Sequence, residues 1–187
     1  MYLFILAGII LAKIKKYKVS IIFLKIDFYP LFLVEIVYIF FQTNALYGNY
    51  SYVIYAKHIQ MAFIIVLLLP IILRRLYIQS FIGSGLVIIG TILNKIVINA
   101  NNGHMPVLPT LSKLTGFFKE GNLSQGIDNL HIQLTESTKL NFLADYIDTG
   151  YSIMSIGDLF IHSFIPIVIY YSIKSMNAVK TQGDKML

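Results

Sequence analysis

The sequence predicts an all-α, polytopic transmembrane helix bundle of about five spans, topped by a semi-structured extracytoplasmic cap. Three observations predict it. First, of 187 residues 57% are hydrophobic and 13% charged, against roughly 45–50% apolar and about 25% charged in soluble domains. A chain of this size leaves much of its surface exposed, so one water-soluble core cannot hide that excess. Second, the apolar residues come in long uninterrupted runs rather than in the alternating pattern of about ten residues that membrane strands require. Third, lysine and arginine gather in the short connections between alternate runs. The absence of cysteine excludes a disulfide scaffold, a thiolate zinc site and a cysteine nucleophile.

A helix needs about 20 mostly apolar residues to cross a hydrocarbon core near 30 Å thick. Tyr2–Ile14 is short, but Lys13, Lys15, Lys16 and Lys18 lie at or just beyond its end and can snorkel to the headgroups. No positive residue precedes it and no small-residue cleavage site follows, so it does not read as a signal peptide. Asp27–Leu46 is interrupted only by Glu35 and Gln42. Tyr52–Leu73 carries Lys57 and His58 near its start and Pro70 near its end, Tyr77–Ile98 stays apolar until Asn94 and Lys95, and Ile153–Ile173 holds Asp158 and His162. The expected organisation is therefore four spans in residues 1–98, an extracytoplasmic segment at 99–151, a fifth span at 152–174 and a cytoplasmic tail at 175–187.

Orientation follows from the basic residues. With the N-terminus outside and the C-terminus inside, ten of the fifteen lysines and arginines fall on the inner side, four fall outside, and Lys95 lies within a span. The net charge of +6 then reads as a topology signal and an affinity for the anionic inner leaflet, not as nucleic-acid binding.

The outer segment is not polar filler. Val107–Phe118 and Leu123–Leu134 have apolar residues at roughly helical spacing, interrupted by Gly116, Gly121 and Gly126, and read as short amphipathic or re-entrant pieces. Leu140–Ile147 adds an apolar piece with one carboxylate, Asp145. Asn101-Asn102-Gly103 supplies the left-handed residues that close a helix, and Pro106 prevents its resumption. Leu134-Thr135-Glu136-Ser137-Thr138 starts a turn or a helix cap. Gly83-Ser84-Gly85 reads as close helix packing through small residues.

Charges inside a bilayer cost a few kcal/mol even on lenient scales, so they face protein, water or a partner. Glu35, Tyr38 and Gln42 share one helix face, as do Ser155, Asp158 and His162, while Thr91, Asn94 or Lys95, and Asn99 form a third stripe. Two readings follow. In one, the stripes line a ligand site open to the outer side: Asp158 is the charged anchor, Lys95 its partner or a substrate contact, and Asn94, Asn102 and Ser155 the orienting hydrogen bonders, with Glu35 and Asp145 as further candidates. In the other, a Lys95–Asp158 or Lys95–Glu35 pair and bridging amides fix helix packing. A metal reading rests on Asp158 and His162, four apart on one face, completed by Glu35, His58 or His131. No clustered metal motif supports it, and no Walker A, G-x-G-x-x-G or G-x-S-x-G pattern indicates a cofactor or a nucleophile.

Asn94, Asn102-Gly103, Met105-Pro106-Val107, Leu134-Thr135, Leu143 with Asp145, and Ser155-Ile156-Gly157-Asp158 resemble the DUF5317 family of small bacterial membrane proteins. The departures are His104, Ala144 and His162. The resemblance implies an integral protein of a bacterial cytoplasmic membrane and carries no mechanism. The expected function is non-enzymatic: a small ligand-binding or accessory subunit, including one of a transport system, with a protein partner in a membrane complex. The contrasting class is a membrane-embedded enzyme acting on a lipid-linked or apolar substrate.

Overall fold

A computed structural model describes residues 1–49, 51–118 and 130–183. It is mostly helical, with seven α-helices among the described residues. The first four, α1 (Tyr2–Ile14), α2 (Tyr29–Leu46), α3 (Ala56–Leu73) and α4 (Tyr77–Ala100), fill the first four apolar runs. Strand β1 (Met105–Val107), helix α5 (Leu111–Leu114) and strands β2 (His131–Gln133), β3 (Ile147–Asp148) and β4 (Ile153–Met154) follow, and α6 (Ile156–His162) and α7 (Phe164–Gly183) end the chain. Among the described residues three stretches are long and apolar enough to cross a membrane: Ile26–Leu46, Tyr77–Ala100 and Ile156–Ala178. Tyr2–Ile14 and His58–Leu73 are shorter apolar helices.

The last apolar run departs from the expected single helix. It begins as strand β4, and its helical part is divided at Ser163 between α6 and α7. Pro166 explains the division: proline has no N–H to give to the carbonyl four residues back, and is tolerated in a first turn where that donor has no role. The residues divide into two compact units, one of Met1–Phe40, Ile54–Gly85 and His162–Leu187, the other of Phe41–Val53 and Leu86–Ile161.

In the first unit α1 packs along α7. A Cβ on Gly8 would stand 2.8 Å from Ile169 Cβ and 2.9 Å from the Pro166 carbonyl, so glycine permits the approach of the two helices. Ile5, Ala12, Phe28, Leu31, Phe63, Leu67, Val168 and Ile169 form the core. The outward faces are apolar too: Ile36 is 65% exposed, Ile78 73% and Phe81 82%, a surface suited to lipid rather than water. Between α3 and α4 the chain reverses at Arg74-Arg75-Leu76. Arg75 adopts a left-handed conformation (φ 52°), and the Leu76 and Arg75 N–H groups close on the carbonyls of Ile71 and Ile72, which ends α3. Of the expected small-residue contact, Gly83 lies against Phe164, whose ring would be 2.5 Å from an added Cβ, whereas Gly85 faces open space.

The second unit contains the segment expected to form a cap. Asn102 (φ 57°) and Gly103 (φ 90°) are left-handed, and the Gly103 N–H bonds the Ile98 carbonyl at 2.9 Å, ending α4 where the sequence indicates. The cap itself differs from the helical pieces expected. Only Leu111–Leu114 of Val107–Phe118 is helical, and β1 runs parallel to β2, pairing Met105 with His131 and Val107 with Gln133. Residues 119–129, most of the second expected piece, lie outside the described residues. On its other side β1 bridges to Asp145, through Leu108 N–H to the Asp145 carbonyl (2.8 Å) and Asp145 N–H to the Pro106 carbonyl (3.0 Å). Backbone satisfied across the chain in this way removes the need for local helix. Val97, Met105 and Ala144 form the small core beneath these strands. Thr135 to Thr138 is a turn, closed by Thr138 N–H to the Thr135 carbonyl and by Thr135 N–H to Thr138 Oγ1.

Candidate functional site

Three of the sequence candidates meet in the second unit, at the start of α6 and the C-terminal half of α4. Asn94 Nδ2 donates to Asp158 Oδ1 (2.8 Å), and Ser155 Oγ donates to Asn94 Oδ1 (2.8 Å). The Asp158 N–H donates to Ser155 Oγ (2.9 Å), and the Ser155 N–H donates to Asp158 Oδ2 (3.1 Å). The last two bonds form a capping box, Ser155 as the N-cap residue and Asp158 three places on, satisfying donors that a helix start leaves orphaned. The carboxylate also lies at the positive end of the helix dipole. Asn94 joins this cap to α4 through both ends of its amide. The four bonds form a closed circuit.

Backbone proximity makes the circuit possible. Gly90 lies one turn before Asn94 on α4, and Gly157 sits inside the capping box. A Cβ on Gly157 would overlap Asn94 Oδ1 and stand 2.7 Å from the Gly90 carbonyl, while one on Gly90 would overlap the Gly157 carbonyl and reach Ile161 at 2.9 Å. Gly157 entered the sequence reading only as part of the Ser155–Asp158 motif and Gly90 not at all; the available signal was that Gly90 and Asn94 are four apart and so share a face.

The other candidates lie elsewhere. Lys95 is exposed and outside this circuit. Asn102 is exposed and serves the helix end; its neighbour Asn101 is the buried one. Asn101 Nδ2 donates to the Val97 and Lys139 carbonyls, both at 2.9 Å, and its Oδ1 accepts the Lys139 N–H at 2.8 Å. Asp145 is 5% exposed and lies 3.2 Å from His131 Nε2. Glu35, 7% exposed, is buried in the first unit. His162, in the first unit, sets its ring against Phe4, centroids 4.9 Å apart. Among the described residues no three histidines or carboxylates cluster as a metal set.

A further carboxylate, Asp148, not among the sequence candidates, is held by several donors. Its Oδ2 accepts the Thr110 N–H (2.7 Å), the Ser112 N–H (2.9 Å) and the Ser112 hydroxyl (2.7 Å), and its Oδ1 accepts the Gly150 N–H (2.8 Å). Burial pushes its pKa up, but the backbone N–H groups of Ser112, Gly150 and Thr110 and the Ser112 hydroxyl outweigh it and hold the carboxyl below its usual value. The Thr115 hydroxyl donates to the Gly150 carbonyl and completes the knot. No sequence signal joined Asp148 to residues 36 and 38 positions away.

The long apolar helices define a membrane protein of the helical class, and in its second unit the Asn94, Ser155 and Asp158 side chains are paired with one another. The chain belongs to the DUF5317 family, a family of unknown function, whose profile matches residues 4–170. No curated protein and no solved structure matches it.

Proposed function

We propose that this chain is a five-span protein of a bacterial cytoplasmic membrane, N-terminus outside and C-terminus inside, that acts without catalysis as an accessory subunit of a larger membrane assembly, including a transport system. The observation that carries this reading is the closed Asn94–Ser155–Asp158 circuit. A carboxylate whose two oxygens are occupied by an amide and a helix-start N–H is committed to holding its own fold, and the outer cap it supports is the part available to a partner. The two shorter apolar helices complete the five spans. Helix α3, with 18 residues, is about 27 Å long, close to the hydrocarbon thickness. Helix α1, with 13 residues, relies on local thinning and on Lys13, Lys15 and Lys16 snorkelling to the surface.

The discriminating experiment is Asp158→Asn in a strain whose own copy is deleted. Growth or transport is measured beside the amount and melting temperature of the purified protein. The accessory reading expects function to fall only in step with folded protein. A variant that folds to the wild-type level and loses all function returns the cluster to ligand chemistry. Because the chain lacks cysteine, Lys113→Cys and Lys16→Cys test the topology directly: the first is expected to react with an impermeant thiol reagent from outside, the second not. A second reading, an enzyme acting on a lipid-linked or apolar substrate, draws on the His131–Asp145 pair, because a carboxylate beside an imidazole orients a general base. Loss of function in both His131→Gln and Asp145→Asn at undiminished stability would favour it.

A further inference from the structure

The strongest unassigned feature is a cleft of about 570 Å³ in the first unit, lined by Ile21, Lys25, Asp27, Leu73, Arg74, Arg75, Ser175 and Met176. Three of these side chains are cationic and one is anionic, so the lining carries two positive charges beyond neutrality. Arg74 is committed within the protein. It pairs with Asp27, its Nη2 reaches Met176 Sδ at 3.3 Å, and its guanidinium carbon stands 4.9 Å from the centroid of the Phe28 ring. That leaves the exposed Lys25 and Arg75 at the rim. The left-handed turn that ends α3 places Arg75 there. Ile21, Leu73 and Met176 supply apolar wall.

We propose that this cleft binds the phosphate of an anionic phospholipid headgroup, with Lys25 and Arg75 on the phosphate oxygens and Ile21, Leu73 and Met176 against the glycerol and upper acyl carbons. A free phosphate ion shares the charge but has no use for the apolar wall, which is why the lipid is the better fit. The cleft also takes in the Arg74–Arg75 connection and Lys25, residues the orientation proposed above places on the inner side, where anionic lipid attracts basic segments. The inference rests on the membrane reading.

The test uses the full chain in nanodiscs of phosphatidylcholine with rising fractions of phosphatidylglycerol, read as melting temperature and as lipid retained in native mass spectra. Incorporation into discs checks the membrane reading by itself, and a chain that stays soluble without lipid sinks that reading rather than the cleft. The wild type is expected to retain phosphatidylglycerol selectively and to melt higher as its fraction rises. Lys25→Gln with Arg75→Gln, which leaves the Arg74–Asp27 pair intact, is expected to weaken retention about fivefold for each charge removed. Lys113→Gln with Lys139→Gln removes equal charge elsewhere and is expected to change nothing. Equal retention by the Lys25–Arg75 double variant, equal loss in the control pair, or equal protection of detergent-solubilised protein by inorganic phosphate would each overturn the assignment.

Discussion

Asp27 in the first unit and Asp148 and Asp158 in the second are neutralised by different means. In the first, Asp27 meets a formal positive charge, Arg74, with both side chains less than 10% exposed. In the second, Asp158 and Asp148 meet only dipoles: an amide, hydroxyls and backbone N–H groups. Yet both units secure a connection by the same device. Asn177 bonds the Ile173 carbonyl four residues back and both backbone groups of Lys18, as Asn101 bonds Val97 and both backbone groups of Lys139. The difference therefore lies in charge, not in how loops are tied down. An ion pair needs its partner to stay charged; a carboxylate held by dipoles depends on backbone positions, and so on the residues that let backbones come close.

The largest effect is expected where a charge loses its counter-charge. Asp27→Asn leaves the Arg74 guanidinium buried and unpaired, which typically costs about 3–5 kcal/mol; a site at the edge of the unit should fall near 3 kcal/mol. Thermal unfolding in mild detergent measures it, and replacing the pair together (Asp27→Leu with Arg74→Met) should restore most of the loss. If the single change costs no more than the double, the first unit does not depend on ionic pairing.

The dipole-held circuit should instead break at its glycines. Gly157→Ala drives a methyl into Asn94 and the Gly90 carbonyl, and overpacking of this kind costs typically 1–3 kcal/mol. Because part of the obstruction is backbone, about 2 kcal/mol or more is expected, with protection of the α6 amides lost first in hydrogen exchange. A variant with unchanged melting temperature would mean that the close approach of α4 and α6 is not what holds the cap.

These effects also mark what the sequence disclosed. Helices α1 to α4 were legible because an apolar run of the right length has few alternatives, and the end of α4 because Asn102 and Gly103 tolerate left-handed backbone. Ser155 and Asp158 were legible as helix-face neighbours and Asn94 as a hydrogen bonder beside them, but the helix cap they build was not. Their spacing fits a capping box as well as a ligand stripe, and the structure shows the capping box, joined by Asn94. Lys95 drew attention as a charge, while its neighbour Asn94, one position round the helix, makes the contact. The strands escaped because β1 finds its partners in His131 and Asp145, far along the chain, and three-residue strands leave no periodicity to read. Pro166 was a visible signal for the division at Ser163.

Asp148 sharpens the comparison through pH. Its native pKa lies below the ordinary value, and an unfolded aspartate titrates near about 3.9. A depressed native pKa contributes stability that is fully present above the unfolded value and is lost as pH falls through the native one. Melting temperature should therefore hold steady down to about pH 5 and decline below about pH 4. Asp148→Asn should flatten that decline and cost about 1 kcal/mol at neutral pH through its weakened hydrogen bonds. A decline of unchanged steepness in the variant would assign it to other carboxylates.

The smallest effect concerns the residue that the sequence placed beside Asp158. Lys95→Gln alters an exposed side chain outside the circuit, and such changes usually stay within about 0.5 kcal/mol. The informative measurement is the cycle formed with Asp158→Asn. If Asp158 answers only to Asn94 and Ser155, the two changes add to within about 0.5 kcal/mol, as uncoupled sites do. A coupling above about 1 kcal/mol would show that the ammonium reaches the carboxylate in solution, and the second unit would then rely on a charge pair after all. The parallel cycle of Asp27→Asn with Arg74→Met must show strong coupling for the contrast to hold, so the pair of cycles decides whether the two units differ in kind or only in which cation stands nearest.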